Sequence, residues 1–411
     1  MKALNSTSIL YVWDADYPWD IRTEKTCAAL TEAGYDVHIV ARNRKRLPLL
    51  EARVEGTVHR MPVWGWAGRF DATLGFPAFF SPRWRRLISK TARDVGAKLI
   101  IVRDLPLCPT AVRVGTLLGV PVILDMAEHY PAIMRALRET GRQAAFDWIV
   151  RNPVLVRLVE RYSIRHVDHI LTVANEMSDR LVVMGVDRAR ITRVGNTPSI
   201  TAKPLADAQT SSDAAVPVVV YLGILEVVRG IGDLIDAAAL LHQRGMRMKL
   251  LLIGSGRDEQ LFRKRAASAG LSSNEVEFAG YVPYARAMEL VAAADIGVLP
   301  LHRNEHMDTT EPNKLFDYMS VGIPVITSDT VPSARIIRAE GAGVVFKARD
   351  IDDLAKAIDC LRDPITRHVM GSRGRAAIER QYNWTLDAAV LVQAVARLLS
   401  ATTATSYSPS A

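Results

Sequence analysis

Three stretches of this 411-residue chain carry residue types able to hold a phosphorylated ligand. YLGILEVVRG puts Gly223 at the end of an apolar run and Arg229 just before a helical pattern. LLIGSGRDE ends another apolar run on Gly254 and Gly256. TEPNKLFDYMSVGIPVIT (310–327) places Lys314 and Asp317 three residues apart at the start of a helix that Gly322 stops. Glycine after a strand lets backbone approach a ligand, and the N–H groups of a helix N-terminus attract phosphate. Thr310 or Glu311 can cap the third helix, with Pro312 at its first position, where no N–H partner is needed. Lys314 beside that positive end suits a diphosphate. Asp317, one turn on, can accept two neighbouring hydroxyls such as a ribose presents. Leu315, Phe316 and Met319 are expected to face the core. Arg229, Lys314 and Asp317 would then converge from different strand ends on one phosphate–ribose ligand. Taken singly, each feature is better read as a solvated helix end or a tight turn.

The elements that must position these residues follow one grammar in both halves of the chain. SILYVW (8–13), YDVHIVAR (35–42), AKLIIV (97–102), VPVILDM (120–126) and DHILTV (168–173) read as buried strands alternating with helical sequence. The pattern restarts with VPVVVYLG (216–223), MKLLLIGSG (248–256), NEVEFAGYV (274–282), ADIGVLPL (294–301) and IPVITSD (323–329). Strands apolar on both faces, alternating with helices, imply parallel sheets covered on two sides. The expected architecture is α/β, with two doubly wound Rossmann-like domains facing a cleft and ligands at the strands' carboxyl ends. The expected boundaries are a first domain over 1–197, a linker over 198–215 and a second domain over 216–380. A helix over 381–399 would return to the first domain, and a disordered tail would occupy 400–411. No G-x-G-x-x-G follows the first strand, which argues against a Rossmann dehydrogenase.

Composition excludes several classes. With 49% hydrophobic and 23% charged residues the chain is an ordinary globular protein, neither disordered nor fibrous. Its three cysteines, Cys27, Cys108 and Cys360, lie far apart, which argues against a disulfide framework or zinc site and fits a reducing, cytoplasmic compartment. The apolar run before Asp14 is too short for a signal peptide, and no segment reads as a membrane span. The net charge of +8 is uneven: residues 1–200 hold 29 Lys and Arg against 20 Asp and Glu, the remainder 23 against 24. The basic excess favours an anionic partner for the first half, or simply solubility. MPVWGWAGRF (61–70) and FPAFFSPRWRRLISK (76–90) mix aromatic with basic residues, which suits peripheral attachment to an anionic membrane at its inner face and, almost as well, an interior helix with a solvated basic face; no nucleic-acid partner is expected. Asp14-Ala15-Asp16 has metal-ligand spacing, but a loop aspartate pair is commonplace and no metal is expected.

Taken together, the second-half segments, with AALTEAGYDVHIVAR, IIVRDLPL, PVILDMAEHYPAI, HILTVANEMSDRLVVMGVDRARITRVGN and YNW (382–384), resemble the retaining glycosyltransferases of family 4, which have the GT-B fold. The resemblance covers nearly the whole chain. It implies transfer of a sugar from a UDP- or GDP-sugar to an acceptor hydroxyl, with retention at the anomeric carbon and no cofactor or obligatory metal. The acceptor would be a glycan or a lipid-linked envelope intermediate. Residue by residue, Arg229 matches the family's basic residue on the donor diphosphate, and Asp317 the second carboxylate of its Glu, seven residues, Glu motif. Lys314, with Asn313 and Leu315, fits the P-N-K variant of that motif. Tyr281 and Val282, within 280–283, would touch the nucleobase largely through backbone, and Gly223, Gly254 and Gly256 would line the donor. The motif's first glutamate falls on Thr309, where Asp308 or Glu311 could substitute. The histidine that relatives often place near the reacting sugar falls on Ala127, flanked by Glu128 and His129. Glu128 could orient or deprotonate the acceptor. Arg22, Asp104 and His129 complete the expected acceptor set, Arg22 as a phosphate ligand, though each could instead be packed or salt-bridged. The alternatives are a nucleotide-sugar epimerase of the same fold and a non-catalytic nucleotide-sugar-binding protein.

Overall fold

Runs such as LIIVR and KLLLI have no polar face to give to solvent, so each must sit inside a sheet covered on both sides. In the computed structural model, which describes residues 6–18, 20–63, 78–139, 152–200 and 216–406, they do. The chain divides into two compact units: Met1–Val194 with Asp387–Ala411, and Gly195–Leu386.

The first unit is built on strands β1 (Ser8–Asp16), β2 (Asp36–Arg42), β3 (Leu50–Arg53), β4 (Gly56–Arg60), β5 (Leu99–Arg103), β6 (Val122–Met126), β7 (His169–Thr172) and β8 (Ile191–Arg193). They form one eight-stranded sheet in the order β3-β4-β2-β1-β5-β6-β7-β8, parallel except for the β3–β4 hairpin. Its helices are α1 (Ile21–Glu32), α2 (Pro82–Asp94), α3 (Cys108–Leu118), α4 (Tyr130–Glu139), α5 (Pro153–His166) and α6 (Asn175–Val183). The second unit carries β9 (Val218–Leu222), β10 (Lys249–Ile253), β11 (Val276–Gly280), β12 (Ile296–Leu299), β13 (Val325–Ser328) and β14 (Gly343–Phe346), an all-parallel sheet ordered β11-β10-β9-β12-β13-β14. Around it lie α7 (Ile231–Gln243), α8 (Glu259–Ser268), α9 (Tyr284–Ala292), α10 (Asn313–Ser320), α11 (Val331–Glu340), α12 (Ile351–Cys360) and α13 (Pro364–Arg380). Two cores cover this sheet, and alternation along each strand feeds both. Val219, Tyr221, Leu250 and Leu252 enter one, while Val220, Leu251 and Ile253 enter the other.

Several details depart from the sequence reading. The last helix, α14 (Trp384–Ser406), continues through residues 400–406, where a disordered tail was expected. Ala394, Val395 and Leu391 are buried along it, Asp387 sits 3.8 Å from Arg193, and this packing holds the helix together beyond its weakly patterned end. Among the described helices, the stretch Pro364–Thr402 is long and apolar enough to cross a membrane by length and composition, which the sequence reading did not register. The strand β1 runs on to Asp16 with a register shift after Val12, because Arg42 and Arg44 on the neighbouring strand end hold Asp14 (2.6 Å) and Asp16 (2.8 Å). Both carboxylates of the Asp-x-Asp pair are therefore engaged by arginines. The basic aromatic segments fall partly on 64–77, outside the described residues, as does the linker from 201 to 215. Within the described part, Trp84 is fully buried under the Arg42 guanidinium, so α2 shows solvent a basic face without its tryptophan.

Candidate functional site

In the second sheet, β9 has β10 on one side and β12 on the other, so the chain leaves β9 and β12 in opposite senses at a topological switch point. The loops after β9, β10, β11 and β12 all leave the carboxyl edge, since these strands are parallel. Arg229 ends a short 3-10 turn, Val227–Arg229, after β9, and Gly230 (φ +74°) then opens α7. A Cβ at Gly230 would lie 1.7 Å from the Pro300 carbonyl oxygen, so only glycine lets these two loops meet. After β10, Gly254 has φ +131°, and a Cβ there would lie 1.9 Å from the Gly223 carbonyl oxygen; at Gly256 it would meet the Leu225 carbonyl oxygen at 2.2 Å. Gly254 and Gly256, both expected, and Gly230, which was not, thus pack backbone on backbone along one sheet edge, whereas a Cβ at Gly223 would meet the Tyr221 hydroxyl at 2.9 Å.

The helix α10 begins at Asn313 with Pro312 as its N-cap and no side-chain cap, so neither Thr310 nor Glu311 serves there. Tyr318 anchors it: its hydroxyl accepts the Leu222 N–H at 2.8 Å, and Gly297 leaves space for the ring. Leu315, Phe316 and Met319 are fully buried, and the Leu315 N–H is spent on the Pro312 carbonyl, so Leu315 belongs to the core rather than to a ligand. Asp317 is buried and accepts the Tyr284 hydroxyl at 2.8 Å, linking the loop after β11 to α10. Burial, and then the Asp317 charge, push the Tyr284 phenol well above its ordinary range. Arg229 and Lys314 are half-buried, and neither has a carboxylate within ion-pair distance among the described residues. Burial first, then the Arg229 charge, lower the His306 imidazole to about 4, which places Arg229 close to the loop after β12. In the same loop His302 faces Asp233 of α7 at 2.8 Å. Tyr281 is exposed and Val282 packs on the core after β11.

Thr309 closes a 3-10 turn, its hydroxyl donating to the Glu305 and His306 carbonyls. Neither substitute for the missing glutamate is available to a ligand. Asp308 faces Arg303 at 3.2 Å and caps the Val331 N–H, and Glu311 is buried against Arg335 at 3.0 Å. Placing Glu311 among the donor ligands is therefore corrected: its carboxylate holds α11 to the start of α10.

The first unit has its own switch point, at β1, flanked by β2 and β5. A cavity of about 330 Å³ opens there, lined among others by Trp13, Asp14, Asp20, Arg103, Asp104 and Glu128. Asp104 follows β5 with φ +58°, a left-handed conformation, and its Oδ1 accepts the Ala127 and Glu128 N–H groups at 3.0 and 3.2 Å. Burial raises its carboxyl to about 6, against the pull of Arg103. Glu128 lines the cavity, whereas His129 is buried just before α4 and is absent from its lining. Arg22 is the clearest correction. Its Nε reaches both Asp125 oxygens at 3.0 and 3.1 Å, its Nη2 reaches Oδ1 at 2.5 Å, and its Nη1 donates to the Val194 carbonyl at 3.0 Å. Those donors hold β6 to the end of β8 and are not offered to an acceptor phosphate. Sequence reasoning missed Tyr284, His302, Trp13 and Arg103. For Arg103 a signal existed, a cation closing the apolar strand LIIVR.

Two family models match the chain one after the other. Residues 20–197 match the model described as glycosyl transferase 4-like domain, and residues 203–377 the one described as glycosyl transferases group 1. The chain is 25% identical over 341 residues to the GDP-mannose-dependent monoacylated alpha-(1-6)-phosphatidylinositol monomannoside mannosyltransferase of Corynebacterium glutamicum, covering 78% of this chain and 84% of that protein. It is 28% identical over 178 residues to the GDP-mannose-dependent alpha-(1-6)-phosphatidylinositol monomannoside mannosyltransferase of Mycobacterium tuberculosis, a match spanning 43% of this chain and 46% of that protein. In fold it is similar to sucrose-phosphate synthase of Thermosynechococcus elongatus (TM-score 0.75, 18% identity, 96% of this chain and 100% of the other). It is also similar to HepE of Anabaena in complex with UDP (TM-score 0.69, 14% identity, again 96% and 100%). With the two family models following one another along most of its length, the chain belongs to the family 4 glycosyltransferases, nucleotide-sugar enzymes of the GT-B fold.

Proposed function

We propose that the protein transfers a hexosyl group, mannosyl in the reading its relatives favour, from a nucleoside-diphosphate sugar to a hydroxyl of a lipid-linked acceptor, with retention and without an obligatory metal. The observation that carries the donor side is the pair of half-buried cations, Arg229 and Lys314, that no described carboxylate neutralises. Half-burying cations without carboxylate partners costs solvation free energy, which a bound diphosphate would repay. In turnover they would stabilise charge as it develops on the departing diphosphate, together with the uncapped start of α10. Asp317, with Tyr284 fixing one of its oxygens, would take the ribose hydroxyls. The names of the similar mycobacterial and corynebacterial enzymes support GDP-mannose and a phosphatidylinositol-based acceptor.

The test is turnover of GDP-mannose and UDP-glucose against lipid acceptors, with the product anomer read by NMR and EDTA as a control. Arg229→Ala and Lys314→Ala should each lower kcat about 10²–10³-fold, the magnitude expected for removing one charge-stabilising group. Donor conversion without any acceptor would identify an epimerase, and donor binding without turnover a binding protein. For the membrane, α5 supports attachment better than the segments first singled out, because Val154, Leu155 and Leu158 are exposed beside Arg157, Arg161 and Arg165. Flotation with anionic vesicles at low salt tests this, and a chain left wholly in the soluble fraction would refute it.

A further inference from the structure

We propose that Arg103 is an acceptor ligand, and that the cavity it lines takes an uncharged, polyhydroxylated ring rather than a phosphate. This rests on the reading of the first unit as the acceptor side, and goes beyond it by naming the residue and the ligand chemistry.

Arg103 is 8% exposed, yet its Nε and Nη1 find no hydrogen-bond acceptor among the described residues. Its nearest carboxylate oxygens stand too far for good hydrogen bonds: Asp20 at 3.5 Å, Asp104 at 3.7 Å and Asp125 at 3.9 Å. Its charge is therefore balanced while its donors are not. Buried N–H groups with no acceptor are rare in native proteins, and an arginine's fork is rigid enough to aim them at a ligand. The contrast with Arg22 is instructive, since Arg22 takes both oxygens of Asp125 and leaves Arg103 without that partner.

The rest of the lining decides what such a ligand can be. Asp14, Asp20, Asp104 and Glu128 share the cavity with Arg103; Arg42 pairs with Asp14 from outside it, and the other three carboxylates still outnumber the one guanidinium group in the lining. A phosphate would meet like charge on most sides. Neutral hydroxyls meet none: they donate to carboxylate oxygens and accept from Arg103 with the same atoms. Trp13 lines the cavity as well, its ring 5.9 Å from the Arg103 guanidinium carbon, and offers an apolar surface to the C–H face of a sugar or cyclitol. The cavity, about 330 Å³, is of the size that holds a single small ligand.

The experiment uses the full chain labelled with ¹⁵N and follows arginine Nε–H resonances while methyl α-mannoside or myo-inositol is added, then mannose 6-phosphate or inositol 1-phosphate. The Arg103 resonance should move with a neutral polyol, and binding should weaken at least ~10-fold in Arg103→Met and less in Arg103→Lys, which keeps the charge. The phosphorylated probes should bind more weakly than their neutral counterparts. Tighter binding of the phosphorylated probes, an unmoved Arg103 resonance in the wild type, or unchanged polyol binding in Arg103→Met would each overturn the proposal. Binding of GDP and UDP is recorded on the same samples. Nucleotide binding without polyol binding would sink this inference and leave the donor reading standing, and polyol binding without nucleotide binding would do the reverse.

Discussion

Replacing Arg22 by methionine should unfold the first unit far more readily without specifically weakening acceptor binding. Asp125 is completely buried, and Arg22 supplies its bidentate partner while Tyr11 donates a further bond at 2.9 Å. Burial alone would raise the Asp125 carboxyl, but the Arg22 charge and hydrogen bonds, with Arg103 and Tyr11, hold it below the usual carboxylate range. Removing one partner of a buried pair leaves an uncompensated charge and costs about 3–5 kcal/mol. With a urea slope of roughly 2–3 kcal/mol/M, the midpoint of that unit's transition should fall by about 1–2 M. The assay is urea unfolding by circular dichroism and tryptophan fluorescence at pH 7.5 and pH 5. The sign of the pH effect follows from the pair. In the wild type the Asp125 pKa is depressed, so its contribution is present above the unfolded pKa of about 4 and is lost only as pH falls through the lower folded value. In Arg22→Met the abandoned carboxyl is pushed up instead, so protonation relieves it and the gap to wild type should narrow at pH 5. Arg22→Met/Asp125→Asn should recover much of the lost stability, giving a coupling energy by double-mutant cycle. A midpoint shift under about 0.3 M, with a tenfold rise in acceptor KM, would refute the reasoning and restore Arg22 as a ligand.

Three further outcomes are expected. Asp317→Ala should weaken GDP or UDP binding about 10–100-fold by calorimetry, and Tyr284→Phe only a few-fold, because the phenol orients the carboxylate without being the main ligand; equal affinities in all three proteins would contradict this. Gly254→Ala places its Cβ 1.9 Å from the Gly223 carbonyl oxygen and should abolish nucleotide binding and lower Tm by many degrees. Gly270→Ala, at φ +78° with nothing within 4 Å, should cost only about 1 kcal/mol, so similar losses from both would show that crowding is not the cause. His59 is lowered to about 4, first by burial and then by His38, whose Nδ1 stands 3.1 Å from its Nε2. Its folded pKa lies below the unfolded value of about 6.5, so the stability it contributes is present above that value and lost as pH falls towards 4. The urea midpoint should therefore drop less between pH 7.5 and 5 in His59→Asn than in the wild type.

What could be read from the sequence was whatever depends on local pattern. Strands such as LIIVR and KLLLI announce themselves because both faces are buried, and the glycines after β9 and β10 because a strand exit needs backbone access. The hairpin β3–β4 was missed because LEAR and GTVHR are short, partly exposed and lack an apolar run. The candidate donor ligands Arg229, Lys314 and Asp317 were named from spacing and resemblance. The proposed acceptor side was harder because its arginines differ in which one hydrogen-bonds Asp125, a matter of tertiary distance: Arg22 took the carboxylate and Arg103 was left lining the cavity. Thr309 shows the same limit. The gap in the motif was visible, but that Arg303 and Arg335 draw the neighbouring carboxylates Asp308 and Glu311 away was not.

The first unit is discontinuous in sequence, since Asp387–Ala411 belong to it although the whole of Gly195–Leu386 intervenes. During synthesis from the N-terminus, the second unit's segment is therefore complete before the first unit's last helix has left the ribosome. The unit made first is the one finished last. Until residues such as Leu391 and Val395 emerge, the first unit lacks the buried apolar side chains of its last helix. A nonsense mutation or proteolytic cut near residue 386 would thus leave the Gly195–Leu386 segment whole while depriving the N-terminal unit of its closing helix. Such fragments should aggregate through their N-terminal halves, and supplying the missing helix as a separate peptide should rescue them.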